Sequence, residues 1–459
     1  MRDYIVALMV FTSLPLILRK PFFGILVWSW LSLMNPHRLS WGFATEMPFA
    51  QIVAVTLMLS LLIAREVKRL PAVPLTWLLA FWWFWWFVTT VTAFYPAAAW
   101  AEWDRTWKIL LLTFLMVALL TTRERIDALV WVIVLSLGFY GVKGGIFTLL
   151  GGGVNHVNGP PGSFIAGNNE IGLALVMTVP MIRYLQLVSE GRWIRLGMRV
   201  IMVLTLIAIF GTQSRGALVG MLAMTFYLAM KSSNKVGMLA LLAVALPLAL
   251  MTMPETWYSR MDSIQAYQED ASAQGRINAW WTAWYVALDH PLVGGGADMF
   301  NRATYALYAP NPQRVLDVHS IYFEALGEHG FVGLFIFLAI GLGALVTLNR
   351  VMRFAKPHPT LGWMRDLAAM IYVSLIGYAT SGLFLGLSMF DYYYMLVAIT
   401  IGLASLTRRY ARDGVPTIDK PSGVPPRVTG DQRRAVGAVP IGRRWPLGVS
   451  SMTRWFARL

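Results

Sequence analysis

The residues best suited to chemistry lie in one stretch, 317–330, which carries two histidines, a tyrosine and two glutamates. If a helix begins at the start of this stretch, His319 and Tyr322 share one of its faces. Glu324 and Glu328, four residues apart, share a face in the same way. An imidazole exchanges its proton near neutral pH, so His319 is the candidate general base. A lone histidine would more often be a polar residue at a membrane surface, and the company of these groups favours the catalytic interpretation.

Two arginines add positive charge that this stretch lacks. Arg215 lies in the polar run 211–216 between two apolar segments, and Arg276 follows Gly275 ahead of a Trp-rich stretch. One guanidinium group can bind two phosphate oxygens at once, and it stays charged when partly buried. Taken singly, Arg215 could extend its side chain to lipid headgroups. Two arginines together with a histidine favour a site that binds a diphosphate group.

A further polar region lies in the first half of the chain. Lys143 interrupts an apolar run that contains glycines, and a charge inside a membrane helix is costly enough to suggest a function. The glycines beside it would allow a ligand to approach the backbone closely. A salt bridge to a neighbouring helix, or a side chain that extends to the interface, would also explain this lysine. Asn168 and Asn169 follow a glycine-rich connection and are candidates for substrate binding.

The remaining candidates for substrate binding are Arg105, Lys108, Arg302 and Arg314, in addition to Tyr322 and Glu328. Arg105 and Lys108 lie in a Trp-containing segment, which an aromatic belt at a membrane surface would also explain. The other histidines are too scattered for the spacing of metal ligands, and the chain has no cysteine. We therefore predict no metal site, no cofactor and no thiol chemistry.

Membrane helices must position these side chains. Of the 459 residues, 57% are hydrophobic and only 13% are charged, too apolar a composition for a soluble domain of this length. The apolar residues form long blocks, and lipid cannot satisfy the backbone of open strands. The predicted fold is all-α: a polytopic integral membrane protein with about 12 transmembrane helices and one large loop that contains short helices. The first two blocks, near 4–18 and 22–35, are short and could form two helices or one broken crossing.

Basic residues predict the orientation, because Lys and Arg accumulate in loops that stay in the cytoplasm. With the C-terminus in the cytoplasm, the basic loops that fall on the same side are 65–69, 123–125, 183–199, 231–235 and 350–365. The loop 254–330 then lies on the opposite side. We expect an inner-membrane protein of a bacterium, with its active site facing the periplasm.

The chain divides into four predicted parts. These are an N-terminal transmembrane region (1–253), a periplasmic loop that carries the catalytic residues (254–330), C-terminal transmembrane helices (331–407) and a tail (408–459). The tail holds eleven Lys or Arg and three Asp, and it is rich in Pro and Gly. We expect it to be a disordered cytoplasmic segment near anionic membrane lipids. It supplies over half of the net charge of +15, which therefore does not require a nucleic-acid partner.

Three motifs resemble those of the O-antigen ligase superfamily, which also includes O-antigen polymerases and bacterial protein O-oligosaccharyltransferases. The string His319-Ser320-x-Tyr322, followed by Glu328-x-Gly330, is similar to the C-terminal signature of that superfamily. The 212–216 turn and the Gly275-Arg276 pair resemble its other two motifs, in the same order. The regions 34–38 and 168–170, with Lys143, are similar to the branch of O-glycosylation ligases from exosortase A-associated loci. The resemblance extends over nearly the whole chain to about residue 407.

The resemblance implies transfer of a glycan en bloc from undecaprenyl diphosphate to a hydroxyl of lipid A–core oligosaccharide, without nucleotide sugar or metal. His319 would act as general base or orient the acceptor, while Arg215 and Arg276 would bind the diphosphate. Transfer to protein and polymerisation of repeat units are alternatives, since those enzymes share the motifs. Direct displacement with inversion is our hypothesis, because no carboxylate pair is evident for a two-step route. A lipid or glycan transporter is an alternative from another class, but it should show related halves and polar residues at mid-membrane depth.

Overall fold

The computed structural model describes residues 1–64, 70–231 and 271–415, and this part of the chain is helical without strands. Its α-helices are α1 (Arg2–Arg19), α2 (Pro21–Met34), α3 (Phe49–Ile63), α4 (Pro74–Val91), α5 (Pro96–Leu119), α6 (Arg123–Leu150), α7 (Asn168–Val188), α8 (Arg192–Gly211), α9 (Arg215–Lys231), α10 (Ala271–Asp289), α11 (Arg302–Tyr308), α12 (Ile321–Ala355), α13 (Gly362–Ser381) and α14 (Asp391–Asp413). The predicted all-α class is confirmed for these residues. The expected span near 236–253, the start of the predicted loop and the tail beyond residue 415 lie outside the described residues.

Six helical segments in the described part are long and apolar enough to cross a membrane. They are α4, α6, α7, α8, α12 and the segment Pro359–Phe384, which contains α13. α2 and α3 are apolar but shorter. The chain is thus a helical integral membrane protein, and by length and composition fewer of the described helices qualify as spans than the dozen predicted.

The first two apolar blocks form two helices and not one broken crossing. Lys20 is extended between them, and Pro21 occupies the first position of α2, where the N–H that proline lacks has no partner in the helix. α1 and α2 pack against each other and against α3. The hydroxyl of Ser60 in α3 donates a hydrogen bond to the carbonyl of Ile17 in α1. This contact holds the pair against the rest of the bundle.

Helix α14 lies at the centre of the bundle. Residues 392–403 are buried, and α14 packs against α2, α5, α12 and α13. Its Tyr394 hydroxyl accepts a hydrogen bond from Trp82 Nε1 at 2.8 Å and lies 3.1 Å from the carbonyl of Ser388. Because protein and not lipid surrounds this helix, its polar groups find partners and it need not be strongly apolar. This explains why α14 is absent from the six candidate spans. α14 also extends to Asp413, into the first residues of the predicted tail.

Glycines in α6 bring this helix close to α8. A Cβ at Gly145 would overlap the carbonyl of Leu204, and one at Gly141 would overlap the side chain of Thr205. Only glycine allows two helix backbones to approach this closely. The glycines beside Lys143 therefore serve helix packing, and the expected approach of a ligand to this backbone is wrong.

The helices alternate in direction, so their connections gather at two ends. At one end Ser32 donates to Asp391, Asn168 donates to the carbonyl of Thr212, and the 92–95 turn is bonded to the 291–296 turn. The motif segments 212–216 and 317–330 lie here, and we call it the motif end. The opposite end carries most of the lysines and arginines between the helices, and we call it the basic end.

Candidate active site

Helix α12 carries the histidine stretch and is kinked at Gly330, where φ is 69°. The turn 291–296 fits into this kink. Two of its glycine N–H groups donate to the carbonyls of Gly327 and Glu328, at 2.8 and 2.9 Å. A Cβ on its first glycine would overlap the Gly327 carbonyl. The glycines of this turn thus supply the donors and the space that the kink requires.

The helix begins at Ile321, later than predicted. Ser320 is its N-cap, and His319 lies before the cap with φ of 43°, in the left-handed region. His319 and Tyr322 therefore do not share a helical face, and that expectation is wrong. Few residues other than glycine adopt this conformation, and where they do, the surrounding structure must hold them there.

Helix α10 holds the segment that leads to His319. The side chain of Leu316 fills the space over Gly275, where a Cβ would overlap it. Trp280 Nε1 donates a hydrogen bond of 2.9 Å to the carbonyl of Val318, the residue before His319. Arg276 follows Gly275 directly, so the second motif lies against the backbone that carries the third.

The loop between α11 and α12 is tied down by further polar contacts. Asn278 donates to the carbonyl of Asn311 at 2.8 Å and to that of Arg314 at 3.0 Å. The Tyr305 hydroxyl donates to the carbonyl of Leu316. Burial raises the pKa of Tyr305 to about 12, so this donor keeps its proton at physiological pH. The segment before the histidine is therefore held by α10 and α11 together.

The first arginine motif is a turn held from two sides. Gln213 has φ of 53°, and its side-chain amide donates at 2.8 Å to a glycine carbonyl in the connection before α7. Asn168 donates to the carbonyl of Thr212 at 2.9 Å. Arg215 is the first residue of α9 and is half-buried. Asn168 was expected to bind substrate, and in the structure it positions this turn, with half-buried Asn169 beside it.

The connection between α13 and α14 brings the motif segments together. A Cβ at Gly216, next to Arg215, would lie 3.4 Å from the carbonyl oxygen of Ser381. Ile321, the first residue of α12, packs over Gly382 in the same connection. The 212–216 turn and the histidine stretch thus both contact this short connection. The Gly275-Arg276 pair lies on α10, which contacts the segment before the histidine stretch.

Three polar groups converge on Gly386 in this connection. A Cβ at Gly386 would lie 3.4 Å from Glu324 Oε2, 3.6 Å from Asp317 Oδ2 and 3.7 Å from the backbone nitrogen of His319. Glu324 Oε2 also accepts a hydrogen bond from Ser388 N at 3.0 Å. We call this space the Gly386 cleft. Two carboxylates and the backbone of the candidate base border it, and carboxylate oxygens can accept hydrogen bonds from a bound hydroxyl.

The carboxylates of this cleft were largely missed from the sequence. Asp317 was not proposed as a site residue, and Glu324 was noted only for the face it shares with Glu328. The signal was present, because both residues lie in the histidine stretch. The premise that no carboxylate pair is present is wrong, and inversion stays a hypothesis without that support.

Arg105 is more central than its sequence context indicated. Its positive charge lies within electrostatic range of the carboxyl groups of Glu324 and Asp391, without an ion pair to either. Its guanidinium forms an ion pair of 2.6 Å with Glu102 and lies 4.6 Å from the centre of the Phe164 ring. The structure therefore places one cation, paired with Glu102, in the same end of the bundle as these carboxylates.

Three other cations that were predicted to bind substrate have no observed contact with the Gly386 cleft. Lys108 is paired with Asp104 at 2.7 Å. Arg302 is exposed at the start of α11, and Arg314 is half-buried and contributes its carbonyl to the bond with α10. None of these observations brings their side chains to the Gly386 cleft.

Lys143 lies on an exposed face of α6. It shares this face with Phe139 and Ile146, which are 40% and 45% exposed, and the opposite face packs against α8. A lysine among exposed apolar side chains on a membrane helix extends its ammonium group towards the interface. The structure thus favours this alternative over substrate binding.

Two more predicted site residues have structural partners. Tyr322 donates to the carbonyl of Ala379 at 2.8 Å and links α12 to α13. Glu328 is buried, and its Oε1 accepts from Asp298 N at 3.1 Å beside the kink. Both contacts position α12. Among the described residues, no group of three or more His, Cys, Asp or Glu side chains could hold a metal ion.

Two family models match the chain. Residues 1–190 match a family of unknown function (DUF5935), and residues 200–338 match the O-antigen ligase family. The second match contains all three motifs and most of the residues that the geometry brings together. Residues 200–338 therefore carry a domain of the O-antigen ligase family. The family predicted from the motifs is confirmed, and the likeness to the exosortase-associated branch stays a prediction. Comparison with curated proteins gives no match.

The O-antigen ligase domain at residues 200–338 supports an enzyme of the ligase or polymerase type. Such an enzyme takes a lipid-linked glycan donor and an acceptor. Together with the candidate spans, it makes this an integral membrane protein with a role in surface-glycan synthesis.

Proposed function

We propose that this protein transfers a glycan en bloc from undecaprenyl diphosphate to a hydroxyl of lipid A–core oligosaccharide. The observation that carries the proposal is the meeting of the three family motifs at the motif end, near a cleft bordered by the carboxylates of Asp317 and Glu324 and by the backbone of His319. The basic end lies opposite. Because basic loops stay in the cytoplasm, the motif end faces the periplasm of the inner membrane.

The reaction forms a bond between the acceptor oxygen and the anomeric carbon of the donor glycan, and it breaks the bond from that carbon to the diphosphate. The acceptor proton passes to a base, for which we assign the His319 imidazole. Asp317 and Glu324 accept hydrogen bonds from sugar hydroxyls in the Gly386 cleft. Undecaprenyl diphosphate leaves with its full negative charge, so the main role of the cations is to stabilise the departing diphosphate.

Arg215 and Arg276 are assigned to the diphosphate. Arg276 lies on α10, which packs against the segment before His319. Arg215 lies on α9, which packs against the connection after α13. A guanidinium holds two phosphate oxygens at once, which binds the donor and stabilises the charge that develops as the bond breaks. Arg105, at the same end of the bundle, is assigned to a donor phosphate or to balancing the negative charge of the carboxylates.

The test is reconstitution of the full chain in lipid nanodiscs with purified undecaprenyl-diphosphate glycan. Three acceptors are compared: lipid A–core oligosaccharide, a Ser/Thr-rich protein, and a second undecaprenyl-diphosphate glycan. Release of undecaprenyl diphosphate and the mass of the glycosylated product are measured. We expect transfer to lipid A–core. Transfer only to protein or only to the second glycan would contradict the assigned acceptor, and no release with any acceptor would contradict the assigned reaction.

The orientation is tested with single cysteines, because the natural chain has none. Leu307 at the motif end is 78% exposed, and Lys356 lies at the basic end. A membrane-impermeant maleimide should label Leu307→Cys in intact spheroplasts and should label Lys356→Cys only after permeabilisation. The reverse pattern would place the motif end in the cytoplasm and refute the proposal.

A further inference from the structure

A cavity of about 520 Å³ lies at the basic end, far from the motifs. It is bounded by the last turn of α9, the last turns of α12 and one face of α13. α13 packs against both α9 and α12, so the cavity lies between these two neighbours with α13 along one wall. Two of the three helices belong to candidate spans, and the cavity opens at the ends of these spans.

The opening of the cavity is strongly basic. Among its described lining residues are the cations Lys231, Arg353, Lys356 and Arg365 and only one acid, Asp366. Asp366 is 3.1 Å from Arg365. In the described part of the chain, neither Arg353 nor Lys356 forms an ion pair. Like charges gathered without matching acids repel one another, and an anion bound between them removes that repulsion.

The inner part of the cavity is mainly apolar. Met370 and Val373 of α13 line it, about one to two turns further from the helix end than Arg365, together with Met352 and the polar Asn349 of α12. A free phosphate or another small anion would use only the basic opening. A ligand with an anionic head and a hydrocarbon chain would use both parts, since burying the chain against these side chains removes apolar surface from water.

We propose that this cavity binds an anionic phospholipid. Its phosphate lies against Arg353, Lys356 and Lys231, and the start of an acyl chain lies along Met352 and Met370. Basic pockets between membrane helices at the cytoplasmic surface are suited to such headgroups. This site is separate from the motif end, and its assignment does not depend on the reaction proposed above.

The first arm of the test uses the wild-type chain in detergent. Binding of dioleoylphosphatidylglycerol, dioleoylphosphatidylcholine and inorganic phosphate is measured by native mass spectrometry and by the shift in Tm. We expect tight retention of phosphatidylglycerol, weak retention of phosphatidylcholine and at most weak binding of phosphate. Equal binding of the two lipids would overturn the proposal, and phosphate binding as tight as phosphatidylglycerol would show a small-anion site instead.

The second arm compares two double variants with the same change in charge. Arg353→Gln with Lys356→Gln removes two cations from the cavity, whereas Arg350→Gln with Arg409→Gln removes two exposed cations of the basic end that do not line it. The first pair should weaken phosphatidylglycerol binding about thirty-fold, and the second should change it little. Equal losses would show a diffuse attraction to the basic end and refute a defined site.

A third variant separates the lipid chain from its headgroup. Met370→Trp should fill the apolar part and weaken phosphatidylglycerol binding while the cations stay in place. Its phosphate binding should equal that of the wild type. Undiminished lipid binding by a folded Met370→Trp protein would contradict the assigned position of the chain.

Discussion

Replacing Gly386 with alanine should slow glycan transfer without disturbing the fold. Gly386 is not among the residues with positive φ, so alanine can adopt its backbone conformation. The new Cβ would lie 3.4 to 3.7 Å from its three nearest polar atoms, which is ordinary van der Waals contact. We therefore expect the free energy of unfolding to change by no more than about 1 kcal/mol, and in the stabilising direction, because alanine restricts the unfolded chain.

The effect on the reaction should be much larger. The added methyl group would occupy the point on which Asp317, Glu324 and the His319 backbone converge. A hydroxyl bound there must shift, and crowding by one methyl group costs about 1–3 kcal/mol in a well-packed site. Each 1.4 kcal/mol or so corresponds to a factor of ten in rate. Transfer at saturating donor and acceptor should therefore fall about 5- to 150-fold.

The assay is single-turnover transfer in nanodiscs, with donor affinity and Tm measured on the same preparations. The matched control is Gly343→Ala in α12, whose Cβ would lie 3.5 Å from Leu75 Cδ1, also ordinary contact, but with apolar neighbours only. This control should keep the wild-type rate. If Gly386→Ala also keeps that rate with an unchanged Tm, the cleft does not hold the reacting hydroxyl, and the proposed acceptor position is wrong.

Four further outcomes are expected. In His319→Asn, asparagine tolerates the left-handed backbone conformation but cannot act as the base. The single-turnover rate should therefore fall by a factor on the order of 10² to 10⁴, with donor affinity retained. An unchanged rate would reject the role of His319 as base. Arg276→Gln and Arg215→Gln should weaken donor binding as well as rate, with partial recovery in the lysine variants, and undiminished donor affinity would argue against a diphosphate site. Gly145→Ala should lower Tm by crowding α6 against α8, with a cost of about 1–3 kcal/mol, and a Tm equal to wild type would contradict the close packing of these helices. Transfer should persist in EDTA because the arginines neutralise the diphosphate, whereas loss of activity that Mg²⁺ restores would show that the reaction needs a metal.

The class of the protein follows from the sequence alone. Long apolar blocks in a chain that is 57% hydrophobic require a bilayer, and only helices satisfy the backbone there. The three motifs could be found because each is a short local pattern of residue types. His319 and its neighbouring carboxylates also lie within a few residues of one another, so their proximity was already contained in the sequence.

The tertiary structure decided which of these residues have access to a common site. Gly386 meets Asp317, His319 and Glu324 only because α13 and α14 return the chain to the start of α12. A lysine in an apolar run is typical of a functional site, but Lys143 lies on the outer face of α6. Its neighbouring glycines pack the other face of this helix against α8.

The start of α12 is also decided by tertiary contacts and not by local sequence, as one backbone angle shows. Spacing predicted a helix through His319, but the observed φ of 43° at this residue places the helix start after it. Contacts from α10, remote in sequence, hold this conformation. Hydropathy and residue spacing are local properties of the chain, whereas the partner of each polar group is set by packing between helices that the sequence separates.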